Sequence, residues 1–191
     1  MAPALLPFMV RRRAKIILHG VSRAKEPSVS DFIESTTGVF AETTFRHLLT
    51  REASRATRYQ DFFSVCLLKA DLECSEAAAD VERTVTRKIA QFLRSTDMIG
   101  RVDDRIAILL LHTEGADAVR VAERLRAHIE QVAFPGAGAN ASGHVTLSVG
   151  GVSFPRDGYS DSVLLSRAQA HLTEASRRGG NQVVYASEPR G

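Results

Sequence analysis

The sequence predicts an α/β (α+β) fold in which a mixed central β-sheet is flanked by helices. Two patterns lead to this prediction. Short apolar runs bounded by polar residues alternate with segments of helical periodicity, and two of the runs lie close enough to form a hairpin. Of the 191 residues, 44% are hydrophobic and 25% are charged, which is typical of one globular domain with a single core. The predicted order of elements is α-β-α-β-β-α-β-α-β.

The spacing of apolar residues predicts the first three elements. Glu42–Arg58 has apolar and small residues at helical spacing, which predicts the first helix. Phe62–Leu68 is an almost continuous apolar run, typical of a central strand covered on both faces. The second helix is predicted to end near Leu93, and its inward stripe is Val81, Val85, Ile89, Phe92 and Leu93.

The chain is organised around the stretch Arg94–Leu111. Within it, Met98–Val102 and Ile106–Leu111 are predicted to pair as the strands of a hairpin. Asp103 and Asp104 form the tip of this hairpin. We interpret both as turn formers, because Asp tolerates the backbone angles of a tight turn.

The next helix and strand are the clearest of the second half. Glu114–Val132 has one apolar face and is predicted to be a helix with Thr113 as its N-cap. His144–Phe154 is predicted to be a strand. Its Gly150-Gly151 pair indicates either a bulge or the close approach of another element.

The last two elements complete the predicted sheet. A helix is predicted over Ser162–Arg178, with Gly179-Gly180 as its C-cap, and Asn181–Tyr185 is predicted to be a short strand. The residues predicted to face inward on this helix are Val163, Leu164, Ala168, Leu172 and Ala175.

Charge and cysteine usage exclude several classes of function. The net charge of +3 favours the approach of an anion but is too small to predict nucleic-acid binding. The six His residues include no i, i+4 pair and predict no metal site. Cys66 and Cys74 have neither disulfide nor zinc-ligand spacing. Cys66 is therefore expected to be a buried thiol in a reducing compartment, the cytoplasm.

Residues 1–32 are predicted to be a lead-in to the domain. Ala4–Val10 is apolar and precedes the basic Arg11–Arg13, which is the reverse of a secretory signal, and the run is too short to span a bilayer. No transmembrane segment is therefore predicted. A poorly ordered or docking segment is one interpretation, and weak binding to a membrane surface is the other.

Several short motifs follow one another between about Ile33 and Tyr185. In chain order they are Thr37-Gly38 with Phe45, Arg55-Ala56-Thr57-Arg58, Asp97 and Arg101 before Ile106–Leu110, Ala122-Glu123-Arg124-Leu125-Arg126, Thr146–Gly150, and Ala175 with Gly179-Gly180-Asn181. In order and spacing they resemble the GGDEF domain, the fold of the diguanylate cyclases. The resemblance implies a domain over residues 33–188 and a tail over residues 189–191.

The residues that the resemblance assigns to metal binding and catalysis are replaced. The GGDEF signature becomes Asp103-Asp104-Arg105-Ile106, so carboxylates replace the glycines that approach the nucleotide. The acidic metal ligand of the signature is replaced by Arg105 or deleted. Lys69 stands where a metal-binding Asp is expected, and an ammonium group cannot coordinate Mg²⁺. Lys69 is expected to reach solvent or to pair with Asp71.

Other degenerate positions agree with this interpretation. Of the family's guanine-reading segment, only Asp71 and Asp80 are recognisable. The phosphate-binding Lys and Arg of the closing motif fall at Ser176 and Gly180. The sequence therefore predicts no catalytic residue, no metal and no cofactor, because phosphoryl transfer needs metal, phosphate clamp and base pocket together.

One ligand site of the family is retained. Arg94 and Asp97 match the R-x-x-D of the inhibitory site, and Arg124 coincides with its second arginine. In the family these residues bind cyclic di-GMP, usually as a stacked dimer. Two structural alternatives stay open. Arg94 and Asp97 could form only a helix-end ion pair, and Arg124 could share a solvated face with Arg120 and Arg126.

Three functions follow from these alternatives. The first is an inactive GGDEF domain that acts as a cyclic di-GMP receptor or effector. The second is a scaffold that binds a protein partner and no nucleotide. The third, an active cyclase, is disfavoured by Lys69, Arg105, Ser176 and Gly180. A homodimer is also implied by the resemblance. The lead-in is predicted to be too short for a sensory domain, so input is expected from a ligand, from a partner or not at all.

Overall fold

The computed structural model describes residues 32–72, 78–134 and 144–186. In these ranges four helices and five strands follow one another in the predicted order. They are α1 (Glu42–Tyr59), β1 (Phe63–Asp71), α2 (Ala78–Phe92), β2 (Met98–Val102), β3 (Arg105–Leu111), α3 (Gly115–Gln131), β4 (Thr146–Phe154), α4 (Asp161–Arg177) and β5 (Val183–Tyr185).

The strands form one mixed sheet in the order β2-β3-β1-β4-β5. β1 is antiparallel to β3 and β4, β2 and β3 form the predicted hairpin, and β5 is parallel to β4. The predicted mixed sheet flanked by helices is therefore confirmed. β1 is longer than predicted and reaches Asp71, because its last residues pair with Thr146 and Ser148 of β4.

The central strand β1 is buried on both faces, and each face contributes to a separate core. Cys66 and Leu68 pack beneath α2 and α3, whereas Val65 and Leu67 pack beneath α1 and α4. Each fully buried aliphatic side chain stabilises the fold by about 1.5–3 kcal/mol. Burial raises the pKa of the Cys66 thiol to about 12, so the predicted buried thiol is confirmed.

The glycine pair of β4 allows close packing and does not form a bulge. The pairing of β1 with β4 runs without interruption through Gly150 and Gly151. A Cβ on Gly150 would collide with the backbone of Leu172 in α4, and a Cβ on Gly151 would collide with the ring of Tyr185. The two glycines therefore let α4 and the side chain of Tyr185 pack closely against opposite faces of β4.

Two details of the helix ends differ from the prediction. The N-cap of α3 is Glu114, and the hydroxyl of Thr113 donates instead to the carbonyl of Leu111 at 3.0 Å. Val163 is 42% exposed because it lies in the first turn of α4, and Leu165 takes the inward position.

The carboxyl end of α4 matches the predicted stop. Gly179 and Gly180 follow the C-cap residue Arg178 and have φ of 107° and 75°. The N–H of Gly180 donates to the carbonyl of Ala175 at 3.1 Å, which closes the helix end.

Several predictions fall outside the described residues or stay untested. Cys74, nearly all of the predicted lead-in and the predicted tail lie outside the described ranges. The domain limits of 33–188 therefore stay a prediction. None of the helices within the described ranges combines the length and apolar character that a bilayer crossing requires.

Gly150→Ala should lower the free energy of unfolding by about 1–3 kcal/mol, because the added methyl group overpacks the contact between β4 and α4. Urea unfolding followed by circular dichroism measures this loss. Ser166→Ala, on the exposed face of α4, is the control and should change stability by less than about 0.5 kcal/mol. Wild-type stability in Gly150→Ala would contradict the close packing.

Candidate functional site

The tip of the β2–β3 hairpin is a two-residue turn formed by Asp103 and Asp104. Asp103 has φ of 49°, a left-handed conformation that Asp tolerates better than most side chains. Its backbone N–H donates to Glu42 Oε2 at 3.1 Å, and its carboxylate accepts from Arg46 Nη2 at 3.5 Å. Both partners belong to the first turns of α1, so the tip is held against that helix.

Two positively charged residues occupy neighbouring register positions beside the tip of the hairpin. The last β1–β3 pair is Leu68 with Ile106, so the next residues in register are Lys69 and Arg105. Arg105 Nη1 donates to the carbonyl of the preceding residue at 3.4 Å. Lys69 is exposed and forms no ion pair with Asp71. Like charges in such a cross-strand pair repel.

The carboxylate of Asp71 has a structural role at the end of β1. It accepts hydrogen bonds from Thr146 Oγ1 at 2.9 Å, Ser148 Oγ at 2.8 Å and the N–H of Asn181 at 3.0 Å. It thereby fastens β1 to β4 and to the turn before β5. Gly180 lies close by, and a Cβ added there would be 3.1 Å from the carboxyl carbon of Asp71.

Two further positions that the sequence predicts to be degenerate, Asp80 and Ser176, make local contacts. Asp80, in the first turn of α2, forms an ion pair with Arg83 one turn later. Ser176 is exposed near the end of α4, and its carbonyl accepts from the N–H of Gly179 at 3.2 Å. These contacts stabilise the two helix ends.

Arg94 and Asp97 form a compact turn between α2 and β2. Asp97 Oδ2 accepts from the N–H of Arg94 at 2.9 Å, and the N–H of Asp97 donates to the carbonyl of Arg94 at 3.0 Å. The turn is thus held by main-chain groups and not by an ion pair between the side chains. The Arg94 guanidinium is exposed and makes no hydrogen bond or ion pair within the described part of the chain.

The carboxyl group of Asp97 is partly buried. Burial raises the pKa of its carboxyl, and the N–H and the charge of Arg94 only partly oppose this effect. The carboxylate is therefore fixed in direction by the turn while one of its oxygens, Oδ1, is not engaged by a described protein group.

Arg124 lies against the aromatic ring at the end of α2. Its guanidinium carbon is 5.5 Å from the ring centroid of Phe92, and the ring of His128 is 5.4 Å from the same ring at an interplanar angle of 30°. Phe92 is two residues before Arg94 in the chain. Both arginines of the predicted site therefore lie near the carboxyl end of α2. Arg94 follows this helix in the chain, and Arg124 reaches it from α3.

The other arginines that share α3 are engaged differently. Arg120 and Arg126 form ion pairs with carboxylates of the same helix, and Arg126 also donates to Asn181 Oδ1 at 2.7 Å. These carboxylates belong to Asp117, Glu123 and Glu130. Arg124 has no carboxylate partner within the described residues. The single solvated face proposed for Arg120, Arg124 and Arg126 is therefore wrong for Arg126, whose side chain is only 20% exposed.

The side chains of Arg94 and Arg124 are exposed, whereas Asp97 is partly buried. Two cavities, of about 320 and 250 Å³, are elsewhere on the protein. The first is lined by the start of α3 and the end of β4, and the second by Thr36, Thr37 and the start of α2.

Comparison with known proteins identifies the family. The family profile described as "Diguanylate cyclase, GGDEF domain" matches residues 76–182, more than half of the chain. The chain belongs to the GGDEF family. Response regulator PleD of Caulobacter vibrioides is 30% identical over 106 residues, which are 55% of this chain and 23% of PleD. The chain thus spans only about a quarter of that relative.

Solved GGDEF structures share the fold at low identity. The GGDEF domain of DgcB from Caulobacter crescentus, in complex with c-di-GMP, superposes with a TM-score of 0.73 at 17% identity, covering 88% of this chain and 99% of that chain. Diguanylate cyclase SiaD from Pseudomonas aeruginosa, in complex with its activator SiaC, gives 0.73 at 24% identity, covering 94% and 68%.

The GGDEF family implies Mg²⁺ at the hairpin, and the residues present there do not fit this ion. Mg²⁺ needs oxygen ligands in octahedral geometry, whereas this chain presents Lys69 and Arg105. The carboxylate of Asp71 is already engaged by three donors. Within residues 32–72, 78–134 and 144–186, no group of three or more His, Cys, Asp or Glu side chains is placed to hold a metal.

Sequence reasoning missed two side chains at the candidate site. Phe92 was assigned only to the inward stripe of α2, and His128 was not singled out. The i, i+4 spacing of Arg124 and His128 indicates a shared helix face. Nothing in the local sequence, however, indicates that this face meets Phe92.

The stability contribution of Asp97 should depend on pH. Its pKa is raised above 3.8 in the folded protein, so the folded state holds this proton more tightly and stability is lost as pH rises through the raised pKa. Asp97→Asn keeps an acceptor for the N–H of Arg94 but cannot ionise. Urea unfolding at a series of pH values should therefore show the variant gaining stability relative to wild type as pH rises from about 3 to 7.

The exposed Asp104 provides the control for this measurement. Asp104→Asn makes the same chemical change at the hairpin tip and should follow the wild-type pH dependence. An identical pH dependence in Asp97→Asn and Asp104→Asn would contradict the burial of the Asp97 carboxyl.

Proposed function

We propose that this protein is a catalytically inactive GGDEF domain that acts in the cytoplasm as a cyclic di-GMP receptor or effector. The proposed ligand-binding residues are Arg94, Asp97 and Arg124. The observation that favours it is that two guanidinium groups near the end of α2 have no carboxylate partner among the described residues, while the turn between α2 and β2 fixes the carboxylate of Asp97.

These three groups match the chemistry of guanine. A guanidinium group can donate two parallel hydrogen bonds to the O6/N7 edge of the base and can stack on its face. The Asp97 carboxylate can accept from guanine N1–H and N2–H. A second arginine supplies charge-assisted hydrogen bonds to the phosphates. Because both arginines are exposed, a stacked ligand dimer could also bridge two copies of the domain.

The loss of catalysis follows from charge at the hairpin. Phosphoryl transfer requires Mg²⁺ to neutralise the developing charge and to orient the phosphates. Lys69 and Arg105 repel a cation, and the geometry of Asp71 is committed to three structural hydrogen bonds. Asp103 and Asp104 add negative charge where the phosphates of GTP would lie.

The relatives support the choice of ligand. The DgcB domain of the same fold binds c-di-GMP. The complex of SiaD with SiaC supports only the protein-binding part of the second candidate, the scaffold that binds a protein partner and no nucleotide. We rank the receptor first because a scaffold gives no reason for two arginines near the end of α2 that have no carboxylate partner among the described residues.

Arg94→Ala should weaken c-di-GMP binding by about 10- to 150-fold, because it removes hydrogen bonds from a charged donor. Isothermal titration calorimetry with purified protein measures the change. Arg87→Ala is the matched control, since Arg87 is an exposed arginine of α2, the helix that precedes Arg94, and its loss changes the net charge equally.

Two outcomes would contradict the receptor function. One is the absence of heat and of any shift in melting temperature for wild type at high c-di-GMP concentration. The other is an equal loss of affinity in Arg94→Ala and Arg87→Ala, which would indicate only general electrostatic attraction.

The protein should form no c-di-GMP from GTP with either Mg²⁺ or Mn²⁺. Chromatography of the nucleotides after long incubation provides the measurement, and an active diguanylate cyclase run in parallel provides the positive control. Formation of c-di-GMP by the wild-type protein would contradict the proposed inactivity.

A further inference from the structure

The ring of Phe92 joins α2 to α3 at the candidate site. The guanidinium of Arg124 lies 5.5 Å from its centroid, and the ring of His128, one turn further along α3, lies 5.4 Å from it. Phe92 is partly buried at the last residue of α2, immediately before the turn that contains Arg94 and Asp97.

Arg124 contacts an aromatic ring, whereas the neighbouring arginines of α3 contact carboxylates. Arg126 is fixed by Glu123 and Glu130, which neutralise its charge and occupy its N–H donors. An aromatic face attracts a guanidinium through the ring quadrupole and leaves both the positive charge and the N–H groups at its edge available. Phe92 therefore restricts the side chain of Arg124, and the guanidinium group of Arg124 can still bind an anion.

This restriction matters because a free arginine side chain has many rotamers. Ordering such a side chain upon binding costs free energy, and a side chain that is already placed avoids much of that cost. His128 packs against the same ring and limits the positions that the ring can adopt.

We infer that Phe92 is a positioning residue of the ligand site, which holds Arg124 over the end of α2 ready to contact cyclic di-GMP. This inference rests on the proposed function and adds to it a residue outside the R-x-x-D motif. The guanine base would stack on the outer face of Arg124, so that base, guanidinium and Phe92 ring form one column.

A double-mutant cycle tests the inference. Phe92→Leu keeps an apolar side chain but removes the aromatic face, and it should weaken c-di-GMP binding by about two- to five-fold. Phe92→Tyr keeps the face and should bind as wild type does. In an Arg124→Ala background, Phe92→Leu should have no further effect, because the ring then has no guanidinium to place.

The outcomes separate this inference from the proposed function. If wild type binds no c-di-GMP, both are wrong. If wild type binds c-di-GMP and Arg94→Ala does not, the receptor function stands. If Phe92→Leu then lowers the affinity equally in the presence and in the absence of the Arg124 side chain, the positioning role is wrong. An equal loss in Phe92→Tyr and Phe92→Leu would also overturn it.

A measurement on the free protein checks the geometry independently. The Phe92 ring current should shift the side-chain protons of Arg124 in the NMR spectrum of wild type and of Phe92→Tyr, and this shift should disappear in Phe92→Leu. Equal Arg124 shifts in all three proteins would overturn the stacking contact on which the inference depends. The melting temperature of Phe92→Leu shows that the compared proteins are equally folded.

Discussion

The burial of β1 on both faces is the constraint on which the rest of the structure depends. An antiparallel strand on each side satisfies its main-chain groups, so its side chains can be apolar in both directions. Two helices must then cover each face, which sets the layers of the domain. Because β3 runs antiparallel to β1, the end of β1 lies next to the tip of the hairpin.

That same end of β1 has a structural role. Asp71 connects β1, β4 and the turn before β5 through three hydrogen bonds. Lys69 and Arg105 occur on the neighbouring strands where their repulsion is tolerated, because Lys69 is exposed and water screens its charge. The hairpin itself is still held by polar contacts with α1.

Much of the fold could be predicted from periodicity, whereas contacts between distant segments could not. The order of the elements and the hairpin follow from local patterns of apolar residues. The apolar pattern does not predict that β1 extends from Lys69 to Asp71, because these two charged residues interrupt the apolar run. Only the pairing with β4 makes this segment part of the strand. The R-x-x-D residues were visible as a motif. Phe92 was visible only as an apolar residue of a helix, since its meeting with α3 depends on how the two helices pack.

The strand β2 separates the R-x-x-D turn from the tip of the hairpin. It begins directly after Asp97 and ends directly before Asp103, so its five residues place about 17 Å between the R-x-x-D turn and the hairpin tip. Over that distance, charge changes at one end are largely screened from the other. Selection can therefore act on the two ends separately, and a lineage can lose the chemistry of the tip while the turn is inherited unchanged.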